Sequence, residues 1–203
     1  MPSTEDNSDT KERLLEIAFD ILEKEGASAL KVRAMAERAG LSISVVNHHF
    51  GSKQGLLDAC KNSYYQGLAE VVTAVIAETK GEPLETLVEA AIRDTFSYSR
   101  VHRGVLRMLT SDMFADGELI EAYQGVGNRP HFNPVMDQFA PGLGLDPKVA
   151  RVRLQAVSVV LTRFSTSSDP ELEAIFGVSG DEAVAAAEEH MVQIANLLLC
   201  SKR

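Results

Sequence analysis

The chain has 203 residues, of which 45% are hydrophobic and 24% are charged, and its formal net charge is −9. This length can bury one core, or two small cores that share an interface. The most apolar windows, residues 71–77 and 194–200, fall far short of the roughly 20 apolar residues of a membrane-spanning helix. The polar residues 1–9 do not resemble a signal peptide. We therefore expect a soluble, cytoplasmic protein with no membrane partner.

The negative charge is unevenly distributed along the chain. Residues 28–55 carry a net charge of +3, from four basic side chains against Glu37 alone, whereas the residues on both sides are net negative. Phosphate binding depends on the local charge of a surface more than on the total charge of a protein. A solvated surface patch would also explain this modest excess, so charge alone does not identify a partner.

Apolar periodicity predicts helices from near the start of the chain. Asp9 and Glu12 have the spacing of a capping box at the start of the first helix. A short second helix is predicted over 32–39, and a third lies within the stretch LSISVVNHHF at 41–50. Ser52 is predicted to cap a long helix that follows.

The second half of the chain is also predicted to be helical. After the long helix at 53–81, many Gly and Pro residues between about 115 and 147 predict loops and short helices. Asp146-Pro147 begins a helix that extends to about Ser167. The last helix is predicted to start at Ser179. Its apolar residues recur at steps of three and four, which indicates a seam for another helix: Val184, Ala187, Met191, Ile194 and Leu198. No segment alternates with period two, so the predicted fold class is all-α.

The two short helices within 32–50 have the layout of a helix-turn-helix. The small Ala36 and Ala39 allow the two helices to cross closely. Val46 and Phe50 are four residues apart and are predicted to face the core. The hydroxyl and amide side chains of the second helix are then left on the outside, where such groups can bind base edges or phosphates.

A family resemblance becomes specific at these residues. The stretch KVRAMAERAGLSISVVNHHFGSKQGLL at 31–57 resembles the DNA-binding region of the TetR family of bacterial transcriptional repressors, and the match covers residues 10–60. Asn47 stands where the recognition helix of the family usually carries tyrosine, which affects the expected base preference. Lys31 stands where Ser or Thr usually caps the second helix, at a cost of about 1 kcal/mol.

The resemblance implies how the chain is divided and what it does. Residues 1–9 would be a disordered tail. Residues 10–60 would be a three-helix DNA-binding domain with its helix-turn-helix at about 33–52, and residues 61–203 a helical domain for effector binding and dimerisation. The implied function is a ligand-responsive repressor in bacteria, not an enzyme, with no cofactor and no metal.

We predict DNA contacts for ten side chains in or beside the helix-turn-helix: Lys31, Arg33, Ser42, Ile43, Ser44, Val45, Asn47, His48, His49 and Lys53. Arg33 could instead pair with Glu37 one turn away, and Arg38 could be either solvated or a phosphate contact. A metal site at His48-His49 is disfavoured, because adjacent helical residues diverge by roughly 100° and no third ligand is nearby in the sequence.

The family outline also implies a pocket for an unknown small molecule in the second domain. The candidate lining residues are polar or aromatic: Tyr98, His102, Arg103, Arg107, Tyr123 and Phe164. Arg103 and Arg107 lie one turn apart and could hold an anionic ligand together. Each candidate could also be a solvated side chain or a satisfied polar group in the core.

The family outline further implies a homodimer formed through helices at about 147–167 and 180–200. Its two-fold axis would place two recognition helices on a palindromic operator in double-stranded DNA. A helical enzyme or ligand carrier with a relic amino-terminal unit is the alternative class. No catalytic motif or metal-ligand spacing in the sequence favours it. A third possibility keeps DNA binding and leaves the second domain as a dimerisation module without a ligand.

Overall fold

A computed structural model of the chain describes residues 4–115 and 143–201, with the side chains of residues 9–111 and 143–201. All regular secondary structure in this part of the chain is helical, which confirms the predicted fold class. The helices are α1 (Thr4–Glu25), α2 (Val32–Ala39), α3 (Ile43–Phe50), α4 (Lys53–Glu78), α5 (Leu84–Val101), α6 (Arg103–Ala115), α7 (Pro147–Thr166), α8 (Asp169–Phe176) and α9 (Asp181–Leu199). None of the described helices is long and apolar enough to cross a membrane.

The start of α1 differs from the prediction. The helix begins at Thr4, so residues 4–9, which were assigned to a disordered tail, are helical. A residue suited to capping marks where a helix can begin, but the residues before it can still continue the helix. The cap rule therefore placed this start too late.

Local caps explain the starts of two other helices. The Asp146 carboxylate accepts from the Lys148 N–H at 2.9 Å, with Pro147 in the first turn of α7, as predicted. The Ser52 hydroxyl accepts from the Gly55 N–H at 3.1 Å at the start of α4, also as predicted.

The sequence prediction was wrong about the region before α9. It missed α8, which begins after a cap by the Ser168 hydroxyl and ends at Gly177. It also placed the start of the last helix at Ser179, whereas Gly180 is the N-cap of α9 with a φ of 60°. The Glu173 carboxylate of α8 accepts from the Gly180 N–H at 2.7 Å, a contact that the local pattern does not show.

The contacts divide the chain into two compact units. The first unit contains α1–α3, α4 as far as Tyr65, and His102 with α6; the second contains the rest of α4, α5 and α7–α9. This division differs from the predicted boundary at residue 60, because α6 packs against α1. A Cβ at Gly104 would lie 2.5 Å from backbone atoms of Leu22 and Glu23, so only glycine permits this close approach.

The core of the first unit includes the inner faces of α1, α2 and α3. Its buried residues include Leu14, Ala18, Ile21, Met35, Ala36, Ala39, Val46 and Phe50. The predicted core-facing residues of α2 and α3 are therefore confirmed.

In the second unit, α5, α7 and α9 pack around one apolar cluster, and α8 packs on α9. In the α9 seam that was predicted to face another chain, Ala187 and Met191 are 0% exposed within their own unit, and the other three residues are half-buried: Val184, Ile194 and Leu198. The spacing of apolar residues shows which ones share a face, but not which helix covers that face. On α7, by contrast, Val149, Val152 and Val159 are exposed.

Candidate nucleic-acid interface

The turn between α2 and α3 depends on Gly40. Its φ of 65° is left-handed, a conformation that favours glycine. The Gly40 N–H donates to the Glu37 carbonyl at 3.3 Å, and the Leu41 N–H donates to the Ala36 carbonyl at 2.9 Å. The carbonyls of Ala36 and Glu37 near the end of α2 are therefore satisfied, and residues 40–42 join α2 to α3.

Both ends of α3 are anchored. At its start the Ser42 hydroxyl accepts from the Val45 N–H at 3.3 Å, and at its end the Gly51 N–H donates to the Asn47 carbonyl at 2.7 Å. A Cβ at Gly55 would lie 2.0 Å from the Phe50 carbonyl oxygen, so α4 can begin this close to α3 only with glycine there. From the sequence alone, Gly55 would be expected only to weaken the helix.

The two faces of α3 have opposite exposure. Val46 is 0% exposed and Phe50 is 8% exposed, so this face holds the helix to the core. Eight of the ten predicted contact residues are exposed: Lys31, Arg33, Ser42, Ile43, Ser44, Asn47, His48 and Lys53. The other two, Val45 and His49, are half-buried. Most of the predicted contact residues, which all lie between residues 31 and 53, are therefore accessible to a partner.

Two arginines of α2 are engaged within the chain. Arg33 Nε lies 3.0 Å from Glu37 Oε1, so the pairing within α2 occurs. Both side chains are well exposed, and an exposed pair is worth only about 0.2–1 kcal/mol, which a phosphate can outcompete. Arg38 instead binds Glu25 and lies 3.6 Å from Asp20, and these contacts join α2 to α1.

His49 lies in a cationic environment. Burial lowers the pKa of its imidazole, and the neighbouring charges of His48 and Lys11 lower it further. Lys11 belongs to α1 and was not among the predicted contact residues. The sequence could not reveal it, because only the packing of the first unit brings its charge near α3.

The two histidines show no sign of a metal site. The ring centroids of His48 and His49 are 5.6 Å apart in an edge-to-face arrangement. Throughout the described part of the chain, no group of three or more His, Cys, Asp or Glu residues could hold a metal ion.

Two of the predicted pocket residues of the first unit, His102 and Arg103, contact α1. Arg103 Nε lies 2.5 Å from Glu23 Oε1, and Glu23 Oε2 also accepts from the Gly104 N–H at 2.8 Å. The His102 ring packs against Phe19 at 5.3 Å, and burial lowers its pKa. In the predicted anion-binding pair, the Arg103 guanidinium is thus bound by the Glu23 carboxylate, and an anionic ligand would compete with that carboxylate. Arg107 is half-buried on α6.

The remaining pocket candidates lie elsewhere. Tyr98 packs over Gly67 in the second unit, and burial raises the pKa of its phenol to about 12, with a further contribution from Glu70. Phe164 stacks with Phe176 at 5.7 Å. Tyr123 lies outside the described residues. These assignments to a pocket remain predictions.

Comparison with known proteins identifies the helix-turn-helix. The model of the family described as bacterial regulatory proteins, tetR family, matches residues 14–60, which contain α2, the Gly40 turn and α3. Residues 14–60 therefore belong to the amino-terminal domain type of the TetR family. The match ends before the second unit begins at Gln66, so it does not describe the rest of the chain.

The curated relatives are named as regulators. The chain is 22% identical over 111 residues to the probable HTH-type transcriptional regulator YttP of Bacillus subtilis, covering 55% of this chain and 54% of YttP. It is 30% identical over 98 residues to the HTH-type transcriptional regulator BetI of Stenotrophomonas maltophilia, covering 48% and 50%. The chain thus spans about half the length of the curated relatives it matches.

Two solved structures extend the likeness in fold. A protein of unknown function from Rhodococcus sp. RHA1 aligns with a TM-score of 0.60 and 22% identity, over 91% of this chain and 94% of that one. The TetR family repressor AlkX from Dietzia sp. aligns with a TM-score of 0.53 and 19% identity, over 91% and 92%. At these identities the likeness concerns the fold, and it extends well beyond residues 14–60.

Proposed function

We propose that this protein is a DNA-binding transcriptional regulator of the TetR family that acts as a repressor. As a homodimer it binds a palindromic operator, and it releases that operator when a small molecule binds its carboxyl-terminal domain. The observation that carries the proposal is the exposed face of α3, where hydrogen-bonding side chains lie opposite the buried Val46 and Phe50.

The dimensions and chemistry of α3 suit the major groove. Its 8 residues form a rod that fits a groove about 12 Å wide. The Asn47 amide can donate to and accept from an adenine, and the Ser44 hydroxyl can bind either base edges or phosphates. Ile43 is 48% exposed at the first turn, which suits contact with a thymine methyl group. These residues would read sequence.

The charged residues around α3 would bind the phosphates. Lys31 and Arg33 belong to the start of α2, and Lys53 lies at the start of α4, where the positive end of the helix dipole also favours an anion. The half-buried Val45 and His49, with His48, would complete the contact at the sides of α3. Phosphate contacts fix the register of the protein on DNA without reading its sequence.

The homodimer is proposed from the exposed apolar face of α7, together with Leu197 of α9. Val152 and Leu197 are each 69% exposed, and Val159 is 51% exposed. A second copy would remove these side chains from water. Because a closed two-fold dimer presents two identical α3 helices, its operator is expected to be palindromic.

Effector binding is proposed from the family and from the predicted residues Tyr98, His102, Arg107 and Phe164. A thermal-shift screen against a metabolite library would find a compound that binds the folded protein. We expect at least one such compound to raise the melting temperature and to weaken DNA binding. A library that yields only compounds without effect on DNA binding would contradict ligand-controlled release.

The DNA-binding proposal is tested by replacing two phosphate-binding residues together. A duplex is first selected from a random pool by the wild-type protein, so that no operator needs to be known. Arg33→Ala with Lys53→Ala should weaken binding to that duplex by at least about tenfold, and should reduce the slope of log K against log salt by about two.

A matched control removes the same charge elsewhere. Lys24 and Lys80 are exposed and lie outside α2, α3 and the start of α4. Replacing both by Ala should leave the affinity and the salt slope almost unchanged. If the Arg33/Lys53 variant binds the selected duplex as tightly as this control does, the assignment of the interface is wrong.

A further inference from the structure

One basic residue of α1, Lys11, lies on the face that the rest of the helix buries. Leu14, Ala18 and Leu22 follow it by three, seven and eleven residues, and they are 0%, 0% and 2% exposed. Residues at these spacings share one face of a helix, so Lys11 continues the buried face by one more turn. Its own side chain is exposed. The buried face of α1 therefore ends in a cation at the edge of the core.

The carboxylates of this part of α1 lie on a different face. At 3.6 residues per turn, Asp9, Glu12 and Glu16 are rotated from Lys11 by about 100° to 160° around the helix axis. Among the side chains described for residues 9–111 and 143–201, none forms an ion pair with Lys11. Within this part of the chain the Lys11 ammonium is not matched by an anion.

The first turns of α1 pack beside the helix-turn-helix. Arg13 Nη2 donates to the Ala39 carbonyl at 3.1 Å, which anchors this part of α1 to the end of α2. At the end of α3, burial lowers the pKa of His49, and the charges of His48 and Lys11 lower it further. The cation that ends the buried face of α1 therefore lies beside the last turn of α3.

Three groups that are cationic or can become so thus lie close together: Lys11, His48 and His49. Like charges at short range repel, so this arrangement does not stabilise the free protein. An anion bound among them would be attracted by all three. Lys11 and His48 are exposed and His49 is half-buried, so an anion can approach them from the solvent.

We propose that α1 is part of the DNA interface, and that Lys11 binds a backbone phosphate beside the last turn of α3, next to His49. A lysine ammonium is a compact charge on a flexible stem, which suits a phosphate rather than a base edge. This inference rests on the proposed DNA binding. It adds a contact from a helix outside the helix-turn-helix.

The contact is tested on the full chain by removing the charge and keeping the stem. Lys11→Met should weaken binding to a duplex selected by the wild-type protein by about five- to tenfold. It should also reduce the slope of log K against log salt by about one, as the loss of one phosphate contact does. Lys11→Arg keeps the charge and should bind within about twofold of the wild type. Fluorescence anisotropy over a salt series measures affinity and slope together.

A matched control removes the same charge from the same helix. Lys24 lies about 140° around α1 from Lys11 and pairs with Asp20 at 2.6 Å. Lys24→Met should leave the affinity and the salt slope unchanged. Urea unfolding of both variants checks that the first unit remains folded, and Lys11→Gln replaces Lys11→Met if that variant is less stable than the wild type.

A neutral phosphate in the DNA distinguishes a direct contact from a structural effect. Single methylphosphonates are placed at each position of the selected duplex in turn. At the position that Lys11 contacts, the neutral group should weaken the wild type by about the same factor as Lys11→Met does. It should weaken the Lys11→Met protein little further, because the two changes remove the same interaction.

The failures are distinguishable. A wild-type chain that binds no duplex more tightly than random DNA would overturn the proposed function and this inference with it. If the wild type selects a duplex and Lys11→Met equals Lys24→Met in affinity and slope, only the Lys11 contact is overturned. Weaker binding by Lys11→Met with an unchanged slope, and with the wild-type response to every neutral phosphate, would show a structural role and would also overturn the contact.

Discussion

The helices α3 and α7 each have one buried face and one exposed face, but their exposed faces differ in chemistry. That of α3 carries Ser44, Asn47 and His48, which form hydrogen bonds, whereas that of α7 carries Val152 and Val159, which cannot. A hydrogen-bonding face stays hydrated until it meets a polar partner, while an apolar face gains free energy whenever water is removed from it. The comparison teaches that exposure alone does not identify a partner: α3 suits nucleic acid and α7 suits a second protein chain.

The largest expected effect concerns the two faces of α3 itself. Val46→Asp places a carboxylate at a position that is 0% exposed, and should cost more than about 3 kcal/mol of unfolding free energy. Ser44→Asp places the same group on the exposed face, and should change stability by less than about 0.5 kcal/mol. Urea denaturation measures both. Equal destabilisation by the two substitutions would mean that α3 has no exposed face.

A charged side chain on the apolar face of α7 should weaken dimerisation. Val152→Asp puts a carboxylate into the proposed contact, and should raise the dimer dissociation constant by about a hundredfold, or about 2.7 kcal/mol. Val101→Asp is the matched control, because Val101 is 68% exposed on α5, outside that contact. Light scattering across a dilution series gives both constants. If the Val152→Asp protein has the same dimer dissociation constant as the control, α7 does not form the interface.

Proton uptake should distinguish the α3 face from an apolar one. The pKa of His49 is lowered in the free protein by burial and by nearby cations, and an approaching phosphate would raise it. Binding then takes up a proton, so DNA affinity should increase as the pH falls from 8 to 6, by up to roughly tenfold. Fluorescence anisotropy at several pH values measures this gain. His49→Gln should reduce it, and an unchanged pH dependence would exclude His49 from the contact.

The smallest expected effect concerns Glu37, which competes with phosphate for Arg33 across 3.0 Å. Glu37→Gln should raise the affinity for random-sequence DNA by about threefold, because an exposed ion pair is worth only a few tenths of a kcal/mol to about 1 kcal/mol. Because a phosphate contact does not read sequence, the affinity for the selected duplex should rise by a similar factor, and the ratio of specific to non-specific affinity should stay about the same. Competition binding measures the ratio, and a decrease in non-specific affinity would show that Glu37 does not oppose the DNA contact.

The sequence predicted the first unit better than the second, for a physical reason. The signals of α2 and α3 are local, because Gly40 ends one helix, Ser42 caps the next, and apolar spacing identifies the buried faces of both. The sequence could not show the tertiary contacts of this unit. Lys11 affects His49, and Gly55 permits a close approach to Phe50, only once α1 and α4 are packed beside α3.

The errors in the second half of the chain have the same origin. The helix α8 was missed, and the Gly180 N–H before α9 is bound by the Glu173 carboxylate of α8, a contact that depends on how α8 and α9 pack. The seam of α9 was predicted to face another chain because periodicity does not distinguish neighbours within a chain from those outside it. The ion pair of Arg103 with Glu23 on α1 was likewise not predicted, since nothing near Arg103 in the sequence reveals it.

The central claim, that the exposed face of α3 reads base edges, is tested most directly by Asn47→Ala. The measurement is the ratio of affinities for a duplex selected by the wild-type protein and for a scrambled duplex of equal composition, at one salt concentration. The account predicts a wild-type ratio of about a thousand or more. Asn47→Ala should reduce it by roughly tenfold while affinity for the scrambled duplex stays the same. Equal wild-type affinity for both duplexes, or a ratio that Asn47→Ala leaves unchanged, would contradict it.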